Sequence, residues 1–160
     1  MMHKGNVLLA AAAVALIGCV SVADDDTQIV STTPSPAEIV AARQAAFHMS
    51  GAAMGNIKGT LDRGGDPTTQ AYAARGVARW ARTLPTMFPE STATITPTRA
   101  RPEIWNNKAD FNAKAAAYAA AATQLAEAAQ SGDKAAFFAG WDATRKTCAA
   151  CHDLYQVPQS

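Results

Sequence analysis

A chain of 160 residues has room for one domain of ordinary size. Fourteen lysines and arginines stand against thirteen acids, a balance that argues against a nucleic-acid surface and against a basic membrane helix. The apolar fraction of 49% is misleading, because 38 residues are alanine and only 18 of the 137 from Asp24 onward are Leu, Ile, Val or Phe. Alanine is the best helix former, so the composition excludes a β protein and points to thin helices that bury little oil. Something other than side chains is expected to fill the middle.

Residues 1–23 read as an export signal: Lys4 supplies the positive start, and Val7 to Ile17 is an apolar run too short to span a bilayer. Two exits fit. Leu16-Ile17-Gly18-Cys19 resembles a bacterial lipobox, with cleavage after residue 18 and lipidation of Cys19. Ser21-Val22-Ala23 fits ordinary cleavage before Asp24. The lipobox reading is the preferred one, since Cys19 closes the apolar run. Residues 19–36 contain a run rich in Ser, Thr, Pro and Asp without helical period, and read as a flexible tether to a domain over 37–160. Either exit exports the protein to the periplasm, where a lipid on Cys19 would anchor it to a membrane.

Four helices follow. The first runs from about Ala37 to Leu61, with Val40, Phe47, Met54 and Leu61 at seven-residue intervals as its core-facing stripe. Gly64-Gly65 ends it. Asp66-Pro67 opens the second, which carries Tyr72, Val77, Trp80 and Leu84 and stops at Pro85. A long loop spans 85–101, broken by Pro85, Pro89 and Pro97. Arg101-Pro102 opens the third, whose seam is Ile104, Phe111, Ala115, Tyr118, Ala122, Leu125 and Ala129. Ser131-Gly132 stops it, and Asp133 caps a fourth helix holding Phe137, Phe138, Trp141, Cys148, Cys151, His152 and Tyr155. Two short connections and one long one predict an all-α, antiparallel four-helix bundle.

The chemistry lies in Cys148-Ala149-Ala150-Cys151-His152. C-x-x-C-H is the attachment signature of c-type haem. On a helix the two thiols share one face, within reach of two vinyl groups on one porphyrin edge, and His152 can turn its imidazole beneath the ring. Competing readings are weaker. A thioredoxin-like dithiol wants a βαβ setting and a helix N-terminus. A structural zinc site wants four ligands, and beyond this run the mature chain has only His48 and Cys19. A disulfide closing so short a loop stabilises little. One covalent haem c per chain would also supply the missing apolar bulk.

A haem motif at the end of four helices resembles the class II cytochromes c, cytochrome c′ type, over roughly residues 37–157. Arg43-Gln44 followed by Gly51 and Met54 is similar to the family's first helix, Leu84-Pro85-Thr86-Met87-Phe88-Pro89 to its turn after the second, and Arg101-Pro102-Glu103-Ile104-Trp105 with Phe111 to the start of its third. Cys148 to Tyr155 matches its haem-binding run. The resemblance implies that His152 is the proximal iron ligand and that Phe47, four residues after Arg43, covers the distal face. A phenyl ring cannot coordinate, so the iron is expected to be five-coordinate and open to NO and CO. Arg43 and Gln44 are implied to lie near the haem propionates, the alternative for Arg43 being a solvated helix charge. The family often has a basic residue after the tyrosine; here that place holds Gln156. Dimerisation through helix one is implied as well.

His48 is turned about 100° from Phe47 on the helix and reads as a surface or interface residue. Met49 and Met54 read as packing residues more readily than as ligands, and Trp80, Trp105 and Trp141 as core anchors. The expected function is a gas-binding, redox-capable haem protein. The alternative is a six-coordinate, low-spin electron carrier with a protein redox partner. A peroxidase is disfavoured because no distal acid–base histidine is placed.

Overall fold

The computed structural model describes residues 33–158; Cys19 and the export segment lie outside them. Among the described residues are five α-helices and one isolated antiparallel bridge, Ala100 to Gln156. Helix α1 covers Pro36–Asp62, α2 Ala71–Thr83, α3 Glu103–Asn106, α4 Lys108–Ser131 and α5 Lys134–Tyr155. The four long ones make a four-helix bundle. None of the described helices is long and apolar enough to cross a membrane.

Helix α1 starts one residue before the expected Ala37. Ser35 and Glu38 form a capping box, with Glu38 N donating to Ser35 Oγ at 3.3 Å and Ser35 N donating to Glu38 Oε2 at 2.7 Å. Pro36, placed in the tether by the sequence, is thus the first helical residue. The seven-residue stripe of α1 is only partly core. Val40 is buried, Met54 and Leu61 are half-buried, and Phe47 is 36% exposed. The stripe faces an open cavity for much of its length.

Asp66 accepts from Thr68 N at 2.9 Å, but the turn it caps, Pro67–Gln70, is 3-10 before the α-helix proper begins. Tyr72, expected on the packed face of α2, is 82% exposed. The buried face is Ala74, Val77, Ala78 and Ala81. Tyr72 lies five residues from Val77, about 140° around the helix, so the alanines and not the tyrosine define the face.

The third predicted helix is broken at Asn107, whose φ −128° and ψ 54° leave the helical region. Asn106 and Asn107 are residues whose side chains compete with helical backbone bonding. Beyond the break, every predicted seam residue of α4 from Phe111 to Ala129 is buried. Gly132 closes α4 with φ 76°, a left-handed conformation that glycine adopts freely. Asp133 then caps α5, accepting from Ala136 N at 3.0 Å.

Packing is uneven. A Cβ on Gly140 of α5 would sit 2.9 Å from the Leu125 Cα of α4, so these two helices touch backbone to backbone. Helix α4 packs along α2 and α5, whereas α1 and α5 meet at few points. The space left between α1 and α5 is the cavity.

Candidate functional site

The cavity has a volume of about 970 Å³. One wall is the last two turns of α5. Cys148 and Cys151 are three apart, so they fall on one helix face, and both are half-buried against the cavity with free thiols. His152 also lines it, more exposed than the thiols.

Burial pushes the Cys148 thiol up, and burial together with neighbouring Cys148 pushes Cys151 up to about 11. Both are therefore protonated at neutral pH. A redox dithiol or zinc thiolate wants the opposite shift. Among the described residues no group of three or more His, Cys, Asp or Glu is gathered to hold a metal ion by side chains alone. Burial, and then the Arg99 charge, hold His152 below the usual imidazole range, with Asp153 opposing.

The other wall is α1. Phe47 projects into the cavity, its ring held edge-on by Trp80 at 5.2 Å and by Phe88 at 6.5 Å. Gly51 and Gly55 line the same wall, and a Cβ at either would meet nothing within 4 Å. That is room kept for an occupant. Ser50 and Tyr118 tie the wall to α4, their hydroxyl oxygens 3.0 Å apart. Burial raises the Tyr118 hydroxyl to about 12.

For Arg43 the alternative reading falls away. It is no solvated charge: it is 2% exposed, Nη1 donates to Thr92 Oγ1 at 3.0 Å and to Met87 O at 3.3 Å, and Nη2 to Thr98 Oγ1 at 3.3 Å. Its guanidinium lies 4.3 Å from the Phe88 ring centroid. Burial lowers its pKa. Gln44 Nε2 donates to Pro97 O at 3.0 Å. Both side chains border the cavity, yet these donors tie α1 to the loop after α2.

The remaining predicted residues divide. Met54 is half-buried in the cavity wall, and its carbonyl accepts from Trp141 Nε1 at 3.3 Å. His48 lies at the rim, while Met49 faces away, 67% exposed. Tyr155 is buried and donates to Asp110 Oδ2 at 2.6 Å. Gln156 is bridged to Ala100. Ser50, Thr98 and Arg99 also belong to the site. Reading the 85–101 segment as a mere connection hid the latter two.

The cavity fits a flat, largely apolar group bearing two thiol-reactive positions and a metal. Two thiols and an imidazole stand on one wall, and an uncoordinating phenyl and two glycines on the other. A family model described as Cytochrome C' matches residues 38–156. The chain belongs to the cytochrome c′ family. It is 34% identical to the cytochrome c′ of Pararhodospirillum photometricum, over 76% of this chain and 98% of that one. It is 40% identical to that of Rhodospirillum rubrum, over 57% of this chain and 62% of the relative. The cytochrome c′ structure from Thermochromatium tepidum superposes with a TM-score of 0.75 at 30% identity, covering 79% of this chain and all of that one. Cytochromes c′ are haem proteins, and the family implies haem c as the cofactor here.

Proposed function

We propose that this chain is an exported cytochrome c′ that holds one covalent haem between α1 and α5 and binds NO or CO at an iron left open on the Phe47 side. The observation that carries this reading is the pairing of walls around one cavity: Cys148, Cys151 and His152 on α5, and Phe47 on α1. Cys148 and Cys151 would hold the haem, each thiol adding across one vinyl double bond with its proton going to the neighbouring carbon, so that nothing leaves. His152 would hold the iron through a ring nitrogen. Haem supplies an iron that takes a gas ligand and cycles between two oxidation states. Phe47 offers no donor atom and restricts access from the α1 side. Arg43 and Gln44 hold the loop that closes the end. The export signal directs the protein to the periplasm in this reading; cleavage after residue 18 would leave Cys19 as a lipid anchor, and cleavage before Asp24 would leave none.

A second reading, a six-coordinate electron carrier, draws on His48 at the rim of the same cavity. The absorption spectrum of the reduced protein with and without CO separates the two. A high-spin ferrous spectrum that changes with CO is expected. A low-spin spectrum unmoved by saturating CO would overturn the gas-binding reading and favour the carrier.

A further inference from the structure

The charges bordering the cavity are all of one sign. Arg43, Lys58, Arg99, Lys114 and Arg145 line it, and no aspartate or glutamate does. Three of the five are paired on their own helices: Lys58 with Asp62, Lys114 with Asp110 at 3.8 Å, and Arg145 with Asp142 at 3.1 Å. Arg43 is buried in the loop contacts already described. Arg99 remains. Among the described residues it has no carboxylate partner, and its Nη groups make no hydrogen bond.

Its placement is nevertheless rigid. Arg99 Nε donates to Val157 O at 2.8 Å, and Val157 N donates to Arg99 O at 2.8 Å. Arg101 N donates to Tyr155 O at 3.0 Å, and Ala100 bridges to Gln156 between them. The segment 99–101 thus clamps the chain immediately after His152. A charge held by backbone bonds loses little entropy and needs no rearrangement when the charge beside it changes. Arg99 and His152 both line the cavity.

We propose that Arg99 is the fixed positive charge on the His152 side of the cavity that sets the redox poise of the haem iron. This rests on the haem reading above. Reduction removes one positive charge from the iron. A cation held nearby favours the reduced form and raises the midpoint potential.

The test is potentiometric titration of the purified holoprotein and three variants. Arg99→Gln should lower the midpoint, so that at a fixed potential the ratio of oxidised to reduced protein rises roughly threefold or more. Arg99→Lys keeps the charge and should stay near the unmutated value. Gln156→Arg leaves the Arg99 bonds intact, adds a second cation beside the clamp and should raise the midpoint. Equal shifts in Arg99→Gln and Arg99→Lys would show a structural role and overturn the proposal, as would no shift in Gln156→Arg. Acid–acetone extraction of the unmutated protein distinguishes the other failure: haem lost to the organic phase would sink the covalent-haem reading itself, whatever the potentials.

Discussion

The Tyr155 hydroxyl donates to Asp110 Oδ2 at 2.6 Å, and its ring meets Phe111 edge-on at 5.4 Å. The last turn of α5, three residues past His152, is thereby pinned to the first turn of α4. Tyr155→Phe removes the hydrogen bond and keeps the ring. Asp110 is partly exposed and water can replace the donor, so the cost should be about 1 kcal/mol. Denaturant unfolding of the holoprotein should show a lower midpoint with unchanged slope.

Tyr118 and Tyr155 are both pushed up to about 12, in each case first by burial. Unfolded tyrosine titrates near pH 10. Between pH 10 and 12 the folded chain keeps protons that the unfolded chain has lost, so stability falls as pH rises through that window. Below pH 10 the contribution is fully present. Tyr118→Phe should flatten the decline, measured as unfolding free energy against pH from 9 to 12.

Gly140→Ala should cost roughly 1–3 kcal/mol, because the new methyl must push apart the α4 and α5 backbones. The Leu125 atoms it meets are Cα at 2.9 Å and N at 3.1 Å, neither of which can rotate away. Thermal unfolding of the variant should shift down while helix content at low temperature stays the same.

Arg43→Met should cost roughly 2–4 kcal/mol. It removes three donated hydrogen bonds and leaves the Met87 carbonyl and the Thr92 and Thr98 hydroxyls with fewer partners. Faster amide exchange in residues 87–98 would locate the damage. Unchanged exchange there would show that the loop is held otherwise.

Phe47→Ala should speed CO association by roughly tenfold, which corresponds to about 1.4 kcal/mol of steric barrier. Phe47→Met should act in the opposite direction. A thioether from that wall would supply a sixth ligand and give a low-spin ferrous spectrum with slow CO uptake.

Much of the fold was legible because its signals are local. Gly132 and Asp133 mark a helix junction, and the α4 seam from Phe111 to Ala129 follows helical period residue by residue. The attachment run was legible because three residues at fixed spacing carry its chemistry. Tyr72 was misread because alanine can define a buried face as well as a large apolar residue can, and hydropathy does not reveal that in a chain this rich in alanine. The break at Asn107 has only a weak propensity signature. Arg99 and Thr98 escaped because their place depends on where an irregular loop lands, on the end of α5, and no sequence period reports that.

The buried residues of α1 are Val40, Arg43, Ile57 and Thr60. From Arg43 to Ile57 the helix runs about 21 Å at 1.5 Å per residue without one fully buried side chain, bordering the cavity as it goes. It is a beam resting on two abutments. Its mid-span can bow by small changes in helix curvature while both ends stay seated. The opposite wall has no such freedom, because α5 lies hard against α4 at Gly140. Strain from a bulkier occupant therefore goes into one helix and travels lengthwise to its seats near Met87 and Gly65. The protein has one compliant wall and one stiff wall, and the attachment residues stand on the stiff one.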